Sequence, residues 1–270
     1  MNFRTSLLAM ISLLLMAPFA YSQTKGPLIM AHRGGAREFE ENTLSAFKTC
    51  YENGIRGYET DVRMTKDGVL VILHDDSLDR THNATGPVEE KTAAELKDVV
   101  SKKGGEKFLF LDDLLDFFAD KPGVYLELEM KTSNRKLYPD SRIAEFCQKL
   151  HQFAEAKKPK DSIYVYTSFD ARPLKEIRSL DADAQTLITA SRPLSPEYIE
   201  LAKSLGVNYI GCQLSGTSRT MVREAQKQGF KVNCWPGHSI EDYFYCLGLG
   251  CNVHCTDIPM AVMNVARKLQ

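Results

Sequence analysis

The sequence has no surplus of either charge: 34 lysines and arginines face 35 aspartates and glutamates, for a formal net charge of −1. A nucleic-acid partner usually leaves a basic footprint, and its absence argues against that class. No low-complexity tract and no fixed-period repeat occurs. Seven cysteines are present, an odd number, so at least one thiol is free. Five of them (Cys212, Cys234, Cys246, Cys251 and Cys255) lie late in the chain without paired C-x-x-C spacing, which speaks against a zinc site. They are expected to be buried, unpaired small residues, since a free cysteine behaves as a small hydrophobe. Long apolar runs are also missing, apart from one at the N-terminus. Arg4 precedes an apolar stretch from about Leu7 to Ala20, and Ala20 and Ser22 suit the positions before a signal-peptidase cut. The run falls short of the roughly 20 residues that span a bilayer, and no cysteine follows it to carry a lipid. The expectation is a signal peptide over residues 1–22, cleavage near Ser22-Gln23, and a chain exported to the periplasm or secreted, with no stable membrane insertion.

Beyond residue 23 the chain alternates between strand-like and helix-like segments. Strands are expected at 28–31, 57–62, 69–74, 124–130, 163–167, 185–188, 209–212, 231–235 and 253–256. Helices are expected at 43–53, 112–118, 141–155, 173–180, 196–205, 219–228 and 240–247. About eight strand–helix units argue for one closed (β/α)8 barrel over residues 23–270. One strand is surplus. Between Asp61 and Val69 there is no room for a crossover helix, which takes a dozen or more residues, and Asp67-Gly68 reads as a two-residue hairpin loop. The barrel should therefore carry one antiparallel hairpin, in which Lys66 faces Val69 and Asp61 faces His74. The polar stretch from about 76 to 110 is long for a connection and reads as a lid or small insertion above the barrel rim.

The chemistry-bearing residues fall at strand ends. His32 and Arg33 end the first strand, where barrel active sites lie, and Arg33 suits bidentate phosphate recognition. The competing reading is a structural histidine in a glycine turn. Glu59 and Asp61 share one face of the next strand by period-2 spacing. Glu127, Glu129 and Lys131 share one face of a later, otherwise apolar strand. Three interior acids demand a cation, and all-oxygen ligation by Glu59, Asp61 and Glu129 favours Mg²⁺ or Ca²⁺ over zinc. With Arg33 and Lys131 neutralising a phosphate, and His32 and His74 dividing acid and base roles, the set suits phosphate-ester cleavage.

The residues also resemble a known family. "AHRG" at 31–34, "ENT" at 41–43, E-x-D at 59–61, T-x-DG at 65–68, "HD" at 74–75 and "LDRT" at 78–81 are similar to the glycerophosphodiester phosphodiesterases. E-x-K at 129–131, "SF" at 168–169, Trp235 and TD-x-P at 256–259 continue the same order. The resemblance implies a TIM barrel and metal-dependent hydrolysis of glycerophosphodiesters to sn-glycerol 3-phosphate and an alcohol. It implies His32 and His74 as the acid/base pair, Glu59, Asp61 and Glu129 as metal ligands, and Arg33 and Lys131 as phosphate contacts. Glu41 matches an acid close to the metal site in relatives, and is grouped with the phosphate and substrate contacts. Asn42 is expected to cap the next helix.

The stretch "FLFLDDLL" around Leu114, "NCWPGHS" at 233–239 and His82 depart from the family pattern; none is a metal acid or a catalytic histidine, and they leave the alcohol-side pocket, and hence the headgroup, open. Trp235 either contacts the glycerol or alcohol moiety or packs as a core aromatic. Tyr166 and Phe169 are expected in the core. Two other functions compete: a phospholipase D-like or phosphoinositide phospholipase-like enzyme that yields a cyclic phosphate, and a non-catalytic barrel that binds phosphate ligands.

Overall fold

The computed structural model describes residues 26–269; the expected signal peptide and its cleavage point lie outside them. Nine strands form among the described residues: β1 (Leu28–His32), β2 (Gly57–Met64), β3 (Leu70–Ile72), β4 (Tyr125–Met130), β5 (Ile163–Ser168), β6 (Gln185–Thr189), β7 (Tyr209–Gln213), β8 (Lys231–Gly237) and β9 (Val253–Thr256). All but β3 run parallel, and the ring closes because β1 pairs with both β2 and β9. This is the expected TIM barrel. Helices α1 (Leu44–Glu52), α2 (Ala93–Leu96), α3 (Leu111–Phe118), α4 (Asp140–Lys157), α5 (Ala171–Leu180), α6 (Pro196–Leu205), α7 (Arg219–Lys227), α8 (Ile240–Leu249) and α9 (Pro259–Lys268) accompany the strands. Helix α9 lies beyond the last element read from the sequence. Pro259 opens it, where its missing N–H costs nothing, and Val262 and Ala266 are buried.

Strand alternation divides the apolar residues into two cores. Met30, Tyr125, Val165, Leu187, Tyr209, Val253 and Cys255 fill the barrel interior. Ala31, Tyr58, Val62, Leu126, Tyr164 and Ile210 face the surrounding helices. On β2 the interior positions are Glu59 and Asp61, so polar groups enter the barrel where its apolar filling stops. The seven cysteines are all buried and free, as expected for small core residues. No helix of the described residues is long and apolar enough to cross a membrane.

The hairpin forms, but its register corrects the expectation by one residue. Val62 pairs with Ile72 and Met64 with Leu70, and the Leu73 amide donates to the Asp61 carbonyl at 3.0 Å. Asp61 therefore faces Leu73 and not His74. The loop has three residues, not two. Gly68 N–H closes a turn on the Thr65 carbonyl, Thr65 N–H bonds the Val69 carbonyl, and of the loop residues only Gly68 takes a positive φ, 82°. A turn followed by one left-handed glycine is a standard three-residue hairpin. It spares Asp67 a left-handed backbone, and Thr65 fixes it by donating its hydroxyl to Asp67 and accepting from the Val69 amide.

Residues 76–110 pack over β3 around Val71, Leu73, Leu78, Val88, Leu96, Val99 and Phe108. Together with β3 this segment forms a small core, separate from the two cores of the barrel.

Candidate active site

The register of the parallel strands sets the site in rows. His32 pairs with Glu59 and Glu59 with Glu127, while Asp61 pairs with Glu129. Oxygens of Glu59, Asp61 and Glu129 lie within 4.8 Å of one another. All three residues are buried. Glu59 Oε1 and Asp61 Oδ1 have no hydrogen-bond partner among the described residues. Burial pushes the Glu59 carboxyl well above its ordinary range, and the charges of Asp61 and Glu129 add to that push. For Asp61, burial acts in the same direction, but the charges of Lys131, His74 and Arg33 outweigh it and hold the carboxyl low.

Two cations face these acids. Lys131 Nζ lies 2.8 Å from Glu129 and 3.4 Å from Asp61. Arg33 Nε lies 3.4 Å from Asp61, and the Arg33 amide donates to Glu59 Oε2 at 3.1 Å. Arg33 has a left-handed backbone (φ 52°), which turns the chain sharply after β1. Burial works against both cations, yet the surrounding carboxylates more than offset it and raise both above their ordinary values.

Each histidine is pinned by an aspartate at Nδ1. His32 Nδ1 is 2.6 Å from Asp257 Oδ1, and its Nε2 lies 3.8 Å from Glu59. Burial pushes Asp257 up, but the hydrogen bond from His32 and the neighbouring cations hold it below the usual carboxylate range. His74 Nδ1 is 2.8 Å from Asp75 Oδ1. Asp75 is held down to about 2, first by the Arg80 hydrogen bonds. An ionised carboxylate only accepts, so in both rings Nδ1 carries a proton and Nε2 is left for chemistry. Burial lowers the His74 pKa, with Asp61 opposing it.

His32, Arg33, Glu59, His74, Glu129 and Lys131 line one cavity of about 230 Å³, together with Trp235 and Phe169. Three placements differ from the sequence reading. Phe169, expected in the core, is 39% exposed and meets Trp235 edge-on with ring centres 5.6 Å apart. Tyr166 does pack in the core. Glu41 does not line this cavity; it accepts from Arg33 at 3.3 Å and from both terminal nitrogens of Arg80 at 2.7 and 2.8 Å. Asn42 is not the helix cap. Thr43 caps α1 by accepting from the Ala46 amide, and Asn42 donates instead to Asp61 Oδ2 at 2.8 Å.

Sequence reasoning missed several groups at the site. Asp257 was noted only within a motif, and its contact with His32 crosses 225 residues. Arg80 joins Glu41 to Asp75 and so links the supports of Arg33 and His74. Level with Glu59 on the neighbouring strand, Glu127 is pushed by burial up to about 7, against hydrogen bonds from Tyr125 and Asn233. It shares the row of Glu59, lines the same cavity and is bonded to Tyr125 and Asn233.

Residues 32–261 match the model of the glycerophosphoryl diester phosphodiesterase family. The chain is 29% identical to a glycerophosphodiester phosphodiesterase of Caldanaerobacter subterraneus over 251 residues, covering 89% of this chain and 98% of that protein. It is 29% identical to a probable glycerophosphodiester phosphodiesterase 1 of Mycobacterium tuberculosis, covering 83% and 86%. Among solved structures, a phosphodiesterase of Oleispira antarctica in complex with the product sn-glycerol-3-phosphate superposes with a TM-score of 0.81. The identity there is 22%, over 90% of this chain and 97% of that one.

Proposed function

The chain belongs to the glycerophosphoryl diester phosphodiesterase family, and from that membership we propose an enzyme that hydrolyses glycerophosphodiesters to sn-glycerol 3-phosphate and an alcohol. One observation carries the residue-level reading. Two histidines, each anchored at Nδ1 by an aspartate, line one cavity with Glu59 and Glu129, whose oxygens converge with those of the buried Asp61.

Glu59, Asp61 and Glu129 would hold a divalent cation, Mg²⁺ or Ca²⁺. The donor set is all oxygen, which suits a hard ion, and two of its oxygens, Glu59 Oε1 and Asp61 Oδ1, accept no hydrogen bond among the described residues. Charge supports the same reading. With all three carboxylates ionised, as ligation of a cation requires, Arg33 and Lys131 leave one negative charge, which would repel an anionic diester. A dication reverses that sign. When bound, it supplies polarisation of a phosphoryl oxygen.

The chain's own groups do the rest. Arg33 and Lys131 orient the phosphate and offset its charge. One histidine Nε2 takes the proton of the attacking oxygen, and the other gives a proton to the leaving one. Trp235 and Phe169 flank the organic part of the substrate. Glu41 acts indirectly, by holding Arg33 and Arg80. The N-terminal segment is read as an export signal, so the reaction takes place outside the cytoplasm; N-terminal sequencing of the mature protein, expected to begin near Gln23, checks this.

The test uses chelator-treated protein with glycerophosphocholine, glycerophosphoethanolamine and glycerophosphoinositol, with Mg²⁺, Ca²⁺ or Mn²⁺ restored separately. Release of glycerol 3-phosphate should stop on chelation and return with an ion. His32→Ala and His74→Ala should each lower kcat by about 10²–10⁴. Turnover that survives chelation removes the cation, and near-wild-type activity in either variant removes that histidine. A cyclic phosphate as final product supports the phospholipase-like reading, and no turnover with any ion supports a binding barrel.

A further inference from the structure

On β2, the face that carries Glu59 and Asp61 continues one step further, to Arg63. The Arg63 side chain is 2% exposed, and a buried guanidinium is costly unless its donors are met. All of its acceptors come from later in the chain. Nε donates to the Leu73 carbonyl at 3.1 Å, and one terminal nitrogen donates to the His74 carbonyl at 2.9 Å and to Asp76 at 2.6 Å. The other terminal nitrogen donates to Glu89 at 3.0 Å. Glu89 sits in the inserted segment and is itself buried.

Two of these acceptors are the backbone at the point where the chain leaves β3. The last strand pair there is Val62–Ile72, and Leu73 adds a single bond to Asp61. Beyond that bond the sheet ladder no longer sets the direction of His74. The ring is anchored to Asp75, its own neighbour in sequence, so that bond cannot fix where the pair sits relative to the barrel. Arg80 ties Asp75 to Glu41 in the loop after β1, whereas the Arg63 fork holds the backbone of Leu73 and His74 directly to β2, where its own backbone lies.

We propose that Arg63 is a positioning residue for His74, held in place by Glu89, so that the inserted segment helps to set the geometry of the active site. This rests on the role proposed above for His74. Lysine is a poor replacement, since one ammonium cannot span the acceptors that the planar fork reaches.

The experiment measures kcat and KM on glycerophosphocholine for Arg63→Lys, Glu89→Gln, His74→Ala and the double variant Arg63→Lys/His74→Ala. Circular dichroism at the assay temperature confirms that each is folded. A misplaced catalytic group can cost about 10²-fold. Arg63→Lys should lose kcat on that scale with KM little changed, and Glu89→Gln should lose less. Because Arg63 acts through His74, adding Arg63→Lys to His74→Ala should cost nothing further. Wild-type kcat in folded Arg63→Lys, or losses that multiply in the double variant, would overturn the proposal. If Arg63→Lys does not fold, Glu89→Gln, which keeps the side-chain volume, decides by the same criterion. Full activity in His74→Ala instead overturns the catalytic role itself, and the positioning role with it.

Discussion

Asn42 shows how much one side chain can contribute without touching the cavity. Its backbone is left-handed (φ 56°), a conformation that asparagine tolerates better than most residues. That turn aims the amide at β2. Nδ2 donates to Asp61 Oδ2, and Oδ1 accepts from Thr60. The amide therefore presents a fixed donor to a carboxylate with no exposure to water. Asn42→Ala removes that donor from a buried acceptor, which costs about 1–3 kcal/mol. If Asp61 binds the cation, loss of its support should also weaken cation affinity about 10–100-fold. Activity titrated against Mg²⁺ or Ca²⁺ reads this directly, and an unchanged midpoint would leave Asn42 a purely structural residue. Local pattern could not have shown this role. An asparagine before a helix looks like a cap, and only the fold reveals that Thr43 takes the cap while Asn42 reaches a strand 19 residues on.

At the scale of elements, the β2–β3 hairpin depends on Gly68. Its φ of 82° lies in the left-handed region, and an added Cβ would collide with Lys149 Nζ. That ammonium is the end of a flexible side chain and can move, although it would give up its bond to the Gly68 carbonyl. The backbone penalty cannot be relieved in this way. Gly68→Ala is expected to lower stability by about 1–2 kcal/mol, and Gly68→Asn by less. Urea unfolding midpoints check this, and an unchanged midpoint for Gly68→Ala would mean that the loop has a second accessible turn. The same loop marks the limit of what the sequence revealed here. Asp-Gly identified the hairpin and the outward return of the chain, because no crossover fits between Asp61 and Val69. It did not identify the register. Two- and three-residue loops differ by one hydrogen bond at Thr65, and the Thr65 hydroxyl selects the longer one. His74 still reaches the cavity because it lies past the end of β3, where strand alternation no longer applies.

For the whole molecule, the barrel was readable because each parallel strand repeats the same apolar alternation between helices. Contacts between distant strands were not readable, and neither His32–Asp257 nor Asn42–Asp61 has a local signature. One more such group gives the whole fold a pH dependence. His254 on β9 is fully buried, edge-on to Tyr243 of α8 with ring centres 5.7 Å apart. Neither ring nitrogen has a hydrogen-bond partner among the described residues. Burial pushes its pKa down to about 4, with only the charge of Asp242 opposing. In the unfolded chain the same ring titrates near 6.5. Between those values the unfolded state binds a proton that the folded state refuses, so stability falls as pH drops. The contribution is complete above about pH 6.5 and is lost as pH falls toward 4, by about 2–3 kcal/mol at pH 4.5. Carboxylates add their own acid dependence, so the decisive quantity is the difference between wild type and His254→Gln. Urea unfolding at pH 7, 5.5 and 4.5 should show that difference moving in favour of the variant by this amount. Parallel curves for the two proteins would mean that His254 charges without unfolding the barrel.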